Sequence, residues 1–150
     1  AKKGMLVRKQ VRKHLIVMGG LFLIVLGTII GGKIYYYTRI NGYPDTANFS
    51  QRIHSLKLED SSRKTILVFH KPGCPDCLAA RSTIKSELRR NSNKVQGVVI
   101  NTNNPKSKQY LAEYGVTKVP TIIYLQGDQV VDSTTSINDK EIKRVMRGNS

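Results

Sequence analysis

The amino-acid sequence predicts an α/β domain with a central mixed four-stranded sheet flanked by helices, preceded by one N-terminal transmembrane helix. Three observations support this prediction: an uncharged apolar run near the N-terminus, an alternation of strand-like and helix-like segments beyond it, and a Cys-x-x-Cys pair directly after the first strand-like run. With 150 residues, the chain is long enough for one domain and a short accessory segment.

The apolar run at residues 15–32 contains no charged side chain. As a helix it would rise about 27 Å, which is close to the thickness of the hydrocarbon core of a bilayer. It is longer than the apolar core of a cleaved signal peptide, roughly 7–15 residues, and no small-residue cleavage site ends it. No cysteine follows it, as a lipoprotein would require. We therefore predict an uncleaved signal-anchor at residues 15–34.

Basic residues are distributed unevenly around this run. Six Lys and Arg residues precede residue 15. Only three, Lys33, Arg39 and Arg52, lie within about twenty residues after the end of the apolar run. The more positive flank of a membrane helix usually stays in the cytoplasm. We therefore expect a basic cytoplasmic tail at residues 1–14 and a single pass through the cell membrane, with the C-terminal domain outside the cytoplasm.

The whole chain is basic, with 25 Lys and Arg against 10 Asp and Glu and a formal net charge of +15. Beyond the N-terminal tail the basic residues are scattered along the sequence, and tryptophan is absent. Scattered charge argues against a sequence-reading nucleic-acid module, which concentrates Lys and Arg on one face or helix. We therefore interpret the excess as a solvated, mildly basic surface and expect no nucleic-acid partner.

Turn-forming residues at 41–45 predict a linker over residues 35–45, followed by the domain at 46–150. Periodicity and turn signals predict that the domain starts with a helix capped by Asp45 or Thr46 and running to Leu58. A strand at 65–70, a helix at 75–90, a strand at 95–101 and a helix at 105–114 follow. The last predicted elements are a strand at 121–125, a hairpin turn at 126–129, a returning strand, and a helix capped by Asn138 and running to Arg147. Strand–helix–strand units imply parallel pairing, and the hairpin adds an antiparallel edge.

Cys74 and Cys77 are the only cysteines in the chain. A pair this close cannot join distant parts of a fold, but it can open and close a small ring, as thiol–disulfide exchange requires. Cys74 lies just before a predicted helix, whose free N–H groups and dipole favour a thiolate. Pro75 suits the first helical position, and Asp76 suits the first turn. We therefore predict that Cys74 is the nucleophile and Cys77 the resolving thiol.

Two other interpretations of the cysteine pair, a zinc site and a structural disulfide, have less support from the sequence. A zinc site needs about four ligands, and beyond the anchor only His54 and His70 remain to join the cysteines. A structural disulfide across two residues stabilises little, because the effect grows with the length of the closed loop. Exchange chemistry is therefore the favoured interpretation.

The segment from about Thr46 to Arg147 resembles the thioredoxin family. The matching features are the strand at 66–69, the redox pair, and the Val119-Pro120 step that leads into a hairpin. The resemblance implies a thioredoxin-like fold, a cis bond before Pro120 and backbone hydrogen bonds from Val119 to a substrate.

We expect Pro75 and Asp76, between the cysteines, to contribute to the same substrate-binding edge. The resemblance further implies partner proteins that carry cysteine thiols or disulfides and a redox partner that resets the pair. It implies no cofactor.

The sequence departs from cytoplasmic thioredoxins at three places. Pro75 and Asp76 replace a Gly-Pro step, and Gly73 stands where a tryptophan precedes the first cysteine. Val68 replaces a buried aspartate that assists proton transfer to the second cysteine. The match is therefore closer to small membrane-anchored thioredoxin-like proteins of Gram-positive bacteria, including those encoded with secretion or conjugation systems.

The sequence thus predicts a membrane-tethered, extracytoplasmic thiol–disulfide oxidoreductase. The alternative is a non-catalytic thioredoxin-fold subunit that binds or assembles a secretion or conjugation complex, and the missing aspartate and tryptophan give it weight. At this point the pair is compatible with an oxidant, a reductant or an isomerase.

Overall fold

The computed structural model describes residues 1–58 and 62–148, so residues 59–61 and the last two residues of the predicted 46–150 domain lie outside the described part. The chain divides into two compact units at the Arg39–Ile40 junction. The first unit contains helix α1 (Lys2–Tyr35) and most of the π-helical turns at Tyr36–Asn41, which end in the second unit.

Helix α1 with its π-helical extension has the length and composition to cross a membrane, and within the described residues it is the one helix that does. The most apolar part has a mean hydropathy of 2.4, and none of that part is buried. The helix begins at Lys2 and therefore includes the basic stretch that the sequence places before the anchor.

The second unit is built on a mixed four-stranded sheet, as the sequence predicts. Its strands are β1 (Lys64–His70), β2 (Gln96–Asn101), β3 (Thr121–Gln126) and β4 (Gln129–Thr134). They lie in the order β2-β1-β3-β4. Strand β1 is parallel to β2 and antiparallel to β3, and β3 is antiparallel to β4.

Helices cover both faces of this sheet. They are α2 (Phe49–Leu58), α3 (Pro75–Arg90), a 3-10 turn (Pro105–Ser107) that leads into α4 (Lys108–Glu113), and α5 (Asp139–Met146). Because side chains alternate along a strand, Ile66 and Val68 of β1 pack with α3 and α5. Leu67 and Phe69 pack on the other face with α2 and Tyr110 of α4. Strand β1 is thus buried on both faces, as its apolar sequence predicts.

The prediction of parallel pairing is right for β1-α3-β2 and wrong for the next unit. Helix α4 has six residues and rises about 9 Å, less than half the ~20 Å of a six-residue strand. The connection therefore does not carry the chain back along the sheet. Phe69 pairs with Ile100 near the end of β2 and with Thr121 at the start of β3, so β3 begins where β2 ends and runs in the opposite direction.

Two helix starts were predicted from capping residues, with different outcomes. Asn138 caps α5, because its side-chain oxygen accepts hydrogen bonds from the N–H groups of Lys140 and Glu141. The predicted cap of α2 is wrong. The Thr46 hydroxyl accepts the Val99 N–H at 3.0 Å, Asp45 bonds to His70, and α2 begins only at Phe49.

The stretch predicted as a linker is partly core. Asn41 and Tyr43 are only 4% and 6% exposed, and the second compact unit begins at Ile40. The chain does change direction here, with Gly42 at φ +65° and the Asp45 N–H bonded to the Tyr43 carbonyl at 3.0 Å, but the stretch folds against the domain. Composition alone identifies turn-forming residues and does not show whether the turn packs.

Candidate active site

The loop between β1 and α3 sets the position of the cysteine pair. Gly73 has φ +74°, a left-handed conformation that residues with a side chain rarely adopt. Its N–H donates to the carbonyl of Ile40 at 3.1 Å. This conformation gives a physical reason for glycine at the position where the resemblance would place tryptophan. The chain then enters α3 directly at Cys74.

Cys74 is the N-cap of α3, with extended backbone angles of φ −74° and ψ 122°. Its sulfur accepts the Cys77 N–H at 3.2 Å, and the thiol is partly exposed. Pro75 occupies the start of the helix and Asp76 its first turn. The sulfur therefore lies at the positive end of the helix dipole with one backbone N–H aimed at it.

Cys77 lies one turn into α3 and faces the core. It is 1% exposed and packs in the apolar cluster that contains Val68, Ala80 and Ile84. Burial first, and then the hydrogen bond with Cys74, raise the pKa of the Cys77 thiol to about 12. Both cysteines are free thiols here, so Cys77 is protonated at neutral pH.

The loop before β3 brings Val119 and Pro120 beside the pair. Thr121 pairs with Phe69, which places the residues just before Thr121 next to the end of β1. The peptide bond between Val119 and Pro120 is cis, as the resemblance implied. The carbonyl oxygen of Val119 is 3.9 Å from the Cys74 sulfur, so residues 45 positions apart in the sequence meet at one site.

A buried polar group below the pair was not predicted from the sequence. The Tyr43 hydroxyl donates a hydrogen bond of 2.6 Å to the carbonyl oxygen of Cys77. The Tyr43 ring stacks on His70 with ring centroids 4.2 Å apart. His70 is fully buried, and its Nε2 atom bonds to a carboxylate oxygen of Asp45. These three residues form a connected support beneath the first turn of α3.

Two of these three residues, Tyr43 and Asp45, have shifted pKa values. Burial, followed by the nearby cysteines, raises the pKa of Tyr43 above its ordinary value of 10.0. Burial also acts to raise the pKa of Asp45, but hydrogen bonds with His70 and Asn41 outweigh it, and the pKa is lowered. At neutral pH Tyr43 is therefore a neutral donor and Asp45 a carboxylate that orients His70.

A family model described as a thioredoxin-like domain matches residues 56–147. This match covers more than half of the chain. The chain belongs to the thioredoxin-like family. The family and the fold class that the sequence predicts are thereby confirmed.

Solved thioredoxin structures share the fold of this thioredoxin-like domain. The germline-specific thioredoxin Deadhead from Drosophila melanogaster is 20% identical, with a TM-score of 0.56 and coverage of 68% of this chain and 91% of that chain. Mitochondrial thioredoxin 3 from Saccharomyces cerevisiae is 18% identical, with a TM-score of 0.57 and coverage of 75% and 98%. Thioredoxin O2 from Arabidopsis thaliana is 18% identical, with a TM-score of 0.57 and coverage of 69% and 90%.

This thioredoxin-like domain has Val68 on the strand face below the cysteines. Val68 is fully buried and lies in the same cluster as Cys77 and Tyr43. No carboxylate therefore occupies that strand position. The Tyr43 hydroxyl of this cluster bonds to the backbone carbonyl of Cys77 rather than to its sulfur, and the Lys71 backbone hydrogen-bonds the Cys77 thiol, which opposes the larger effect of burial on its pKa.

The two histidines that a zinc site would require are placed apart from each other. His54 is exposed on α2, whereas His70 bonds to Asp45. Across residues 1–58 and 62–148, no three His, Cys, Asp or Glu side chains converge as a metal site would need.

We expect the Asp45→Asn variant to change how stability depends on pH. The Asp45 pKa is lowered in the folded state from its ordinary 3.8, so its contribution is present above that value and is lost as pH falls through the folded-state pKa. Chemical denaturation should show a free energy of unfolding lower by about 1 kcal/mol at neutral pH, with a shallower decline below about pH 5. An unchanged pH slope would show that Asp45 is not stabilised as a carboxylate.

Proposed function

We propose that this protein is a membrane-tethered thiol–disulfide oxidoreductase that acts outside the cytoplasm. The observation that carries the proposal is the arrangement of the two sulfurs. The Cys74 sulfur is partly exposed at a helix N-terminus and accepts a backbone N–H at 3.2 Å, while Cys77 is buried one turn behind it. One thiol is placed to meet another protein, and the second is shielded until the first has reacted.

The exchange follows from these two positions. The Cys74 thiolate attacks one sulfur of a substrate disulfide, and the substrate S–S bond breaks as a mixed disulfide forms. The leaving substrate sulfur departs as a thiolate and takes up a proton. Cys77 then loses its proton and attacks the Cys74 sulfur, which closes the ring disulfide and releases the second substrate thiol. Two electrons pass from the pair to the substrate, and the reverse sequence oxidises a substrate dithiol.

We propose that the substrate docks along the edge formed by Val119, Pro120, Pro75 and Asp76. The Val119 carbonyl lies 3.9 Å from the Cys74 sulfur, so a substrate backbone held there would place its own sulfur beside the nucleophile. Pro75 and Asp76 follow Cys74 directly in the first turn of α3, where Pro75 is exposed and Asp76 partly exposed. The partners would be proteins with cysteine thiols or disulfides, and a separate redox partner would reset the pair.

The apolar helix supports the membrane part of the proposal. We propose that residues 15–34 form a single-pass signal-anchor, with residues 1–14 in the cytoplasm because of their positive charge. The redox unit would then lie outside the cytoplasm, where disulfides form and persist. This arrangement matches the membrane-anchored Gram-positive proteins that the sequence resembles.

The Cys77→Ser variant provides the direct test. Without the resolving thiol, mixed disulfides between Cys74 and substrate proteins should accumulate and should disappear on treatment with reductant. Non-reducing gels of membranes, followed by mass spectrometry of the adducts, would measure this and identify the substrates.

The matched control is the Cys74→Ser/Cys77→Ser variant, which should form no adducts. If the Cys77→Ser chain also formed none, and the double variant retained full biological function, the oxidoreductase proposal would be wrong. That outcome would favour the non-catalytic binding or assembly subunit.

A further inference from the structure

An open groove of about 960 Å³ lies beside the outer edge of β2, between α2 and the C-terminal half of α3. Cys74 caps the opposite end of α3, which has 16 residues and is therefore about 24 Å long. The α3 residue of this β2 groove that is nearest to Cys74 in sequence is Lys85, eleven residues or about 16 Å further along the helix. A molecule bound there would leave the redox site open.

The β2 groove gathers basic side chains that are scattered in the sequence. Among the described residues that line it, six are Lys or Arg and none is Asp or Glu: Arg52, Arg63, Lys64, Lys85, Arg89 and Lys94. They come from α2, the start of β1, α3 and the loop after α3. Like charges brought together along a groove focus the positive potential and favour an anionic partner.

The wall of the β2 groove is the edge of a strand. Among the strands that the structure describes, β2 is at the edge of the sheet and pairs with β1. The backbone N–H and C=O groups of Val99 point outward, where Thr46 bonds to both. Backbone groups that point the same way recur every second residue. The N–H and C=O of Gly97 therefore also point outward, and Gly97 lines the groove.

We propose that the β2 groove binds an acidic, extended polypeptide segment that adds a short strand beside Gly97. An extended peptide supplies alternating donors and acceptors to an exposed strand edge, which a lipid headgroup or a nucleic-acid backbone does not. Its acidic side chains would meet the Lys and Arg residues. Its apolar side chains would contact Leu88 and Val95, which are partly buried at the groove.

The test uses the full chain in micelles of an uncharged detergent. The probe is a fluorescein-labelled ten-residue peptide that alternates Glu with Val, and its affinity is measured by fluorescence anisotropy. We expect saturable binding that weakens as salt is raised. The Lys85→Glu/Lys94→Glu variant should weaken binding by about tenfold or more, because both charges line the groove.

A matched control makes the same change of net charge elsewhere. The Lys106→Glu/Lys108→Glu variant alters two exposed residues outside the groove and should weaken binding by less than about threefold. Equal losses in the two variants would overturn the proposal, because the peptide would then be responding only to overall charge. The Cys74→Ser/Cys77→Ser variant should bind the probe normally, which separates this site from the redox function.

Further probes separate a strand-adding peptide from other anions. The same peptide with N-methyl groups on alternate amides keeps its charge but cannot pair with a strand edge, and it should bind at least about tenfold more weakly. Equal binding of the methylated peptide would overturn the proposal. So would tighter binding of oligothymidylate or of vesicles rich in anionic lipid than of the acidic peptide, or no binding of the peptide to the unmodified chain.

Discussion

Replacing Cys74 with serine is expected to lower the rate of disulfide exchange by roughly a thousandfold or more. A serine hydroxyl at this position cannot form the mixed disulfide, and Cys77 is too deeply buried to replace it as the attacking thiol, at 1% exposure. Reduction of insulin disulfides by the pre-reduced full chain, followed by turbidity, would measure the change. The expected residual rate is that of insulin without the added protein.

This loss is expected without a loss of folding. A serine oxygen is a good N-cap acceptor, so it can take over the bond that the Cys74 sulfur accepts from the Cys77 N–H at 3.2 Å. The free energy of unfolding of Cys74→Ser should therefore stay within about 1 kcal/mol of the original. A folded serine variant that still reduced insulin at a comparable rate would show that Cys74 is not the nucleophile.

Replacing Arg147 with methionine is expected to lower the free energy of unfolding by clearly more than the loss of an exposed surface ion pair does. Glu87 of α3 is only 2% exposed, and the Arg147 guanidinium donates to both of its oxygens at 2.7 and 2.9 Å. Those hydrogen bonds lower the pKa of Glu87 against the opposing effect of burial. Methionine keeps much of the apolar stem but leaves a buried carboxylate without its partner. Denaturation of the full chain in detergent, followed by circular dichroism, would measure the loss.

A second variant separates the missing partner from a general packing defect. In Glu87→Leu/Arg147→Met no buried charge remains, and replacing both members of a buried ion pair by apolar residues is often close to neutral. We therefore expect the double variant to recover most of the lost stability. A loss of less than about 0.5 kcal/mol in Arg147→Met alone would mean that the pair behaves like an exposed surface ion pair.

Local sequence patterns were sufficient for most of the elements. The start of α3 at Pro75, the Asn138 cap and the two-residue turn between β3 and β4 depend on residues that are close in sequence, so composition and spacing predict them. The direction of β3 was wrong because it depends on the length of the α4 connection relative to the strands. That comparison depends on the geometry of the whole sheet, and the hydrophobic periodicity of single segments carries no information about it.

The redox pair could be predicted from the sequence, but the buried residues that support it could not. Two cysteines at this spacing before a helix carry a specific signal, whereas Tyr43 is 34 residues from the backbone atom that it bonds. The contact between His70 and Asp45 spans 25 residues. Such contacts are created by tertiary packing, and a turn-rich stretch gives no sign that one of its side chains will be buried beneath a helix.

The contacts that residues 40–45 make with the domain also determine where a water-soluble fragment of this protein should start. The family match begins at residue 56, and composition suggested a domain edge at residue 46. A truncation at residue 46 would delete the Ile40 carbonyl that holds Gly73, the Tyr43 hydroxyl under Cys77 and the carboxylate that binds His70. A fragment that starts at or before Arg39 keeps all three. Redox potentials measured on the shorter fragment would describe a cysteine pair that lacks these three supporting contacts.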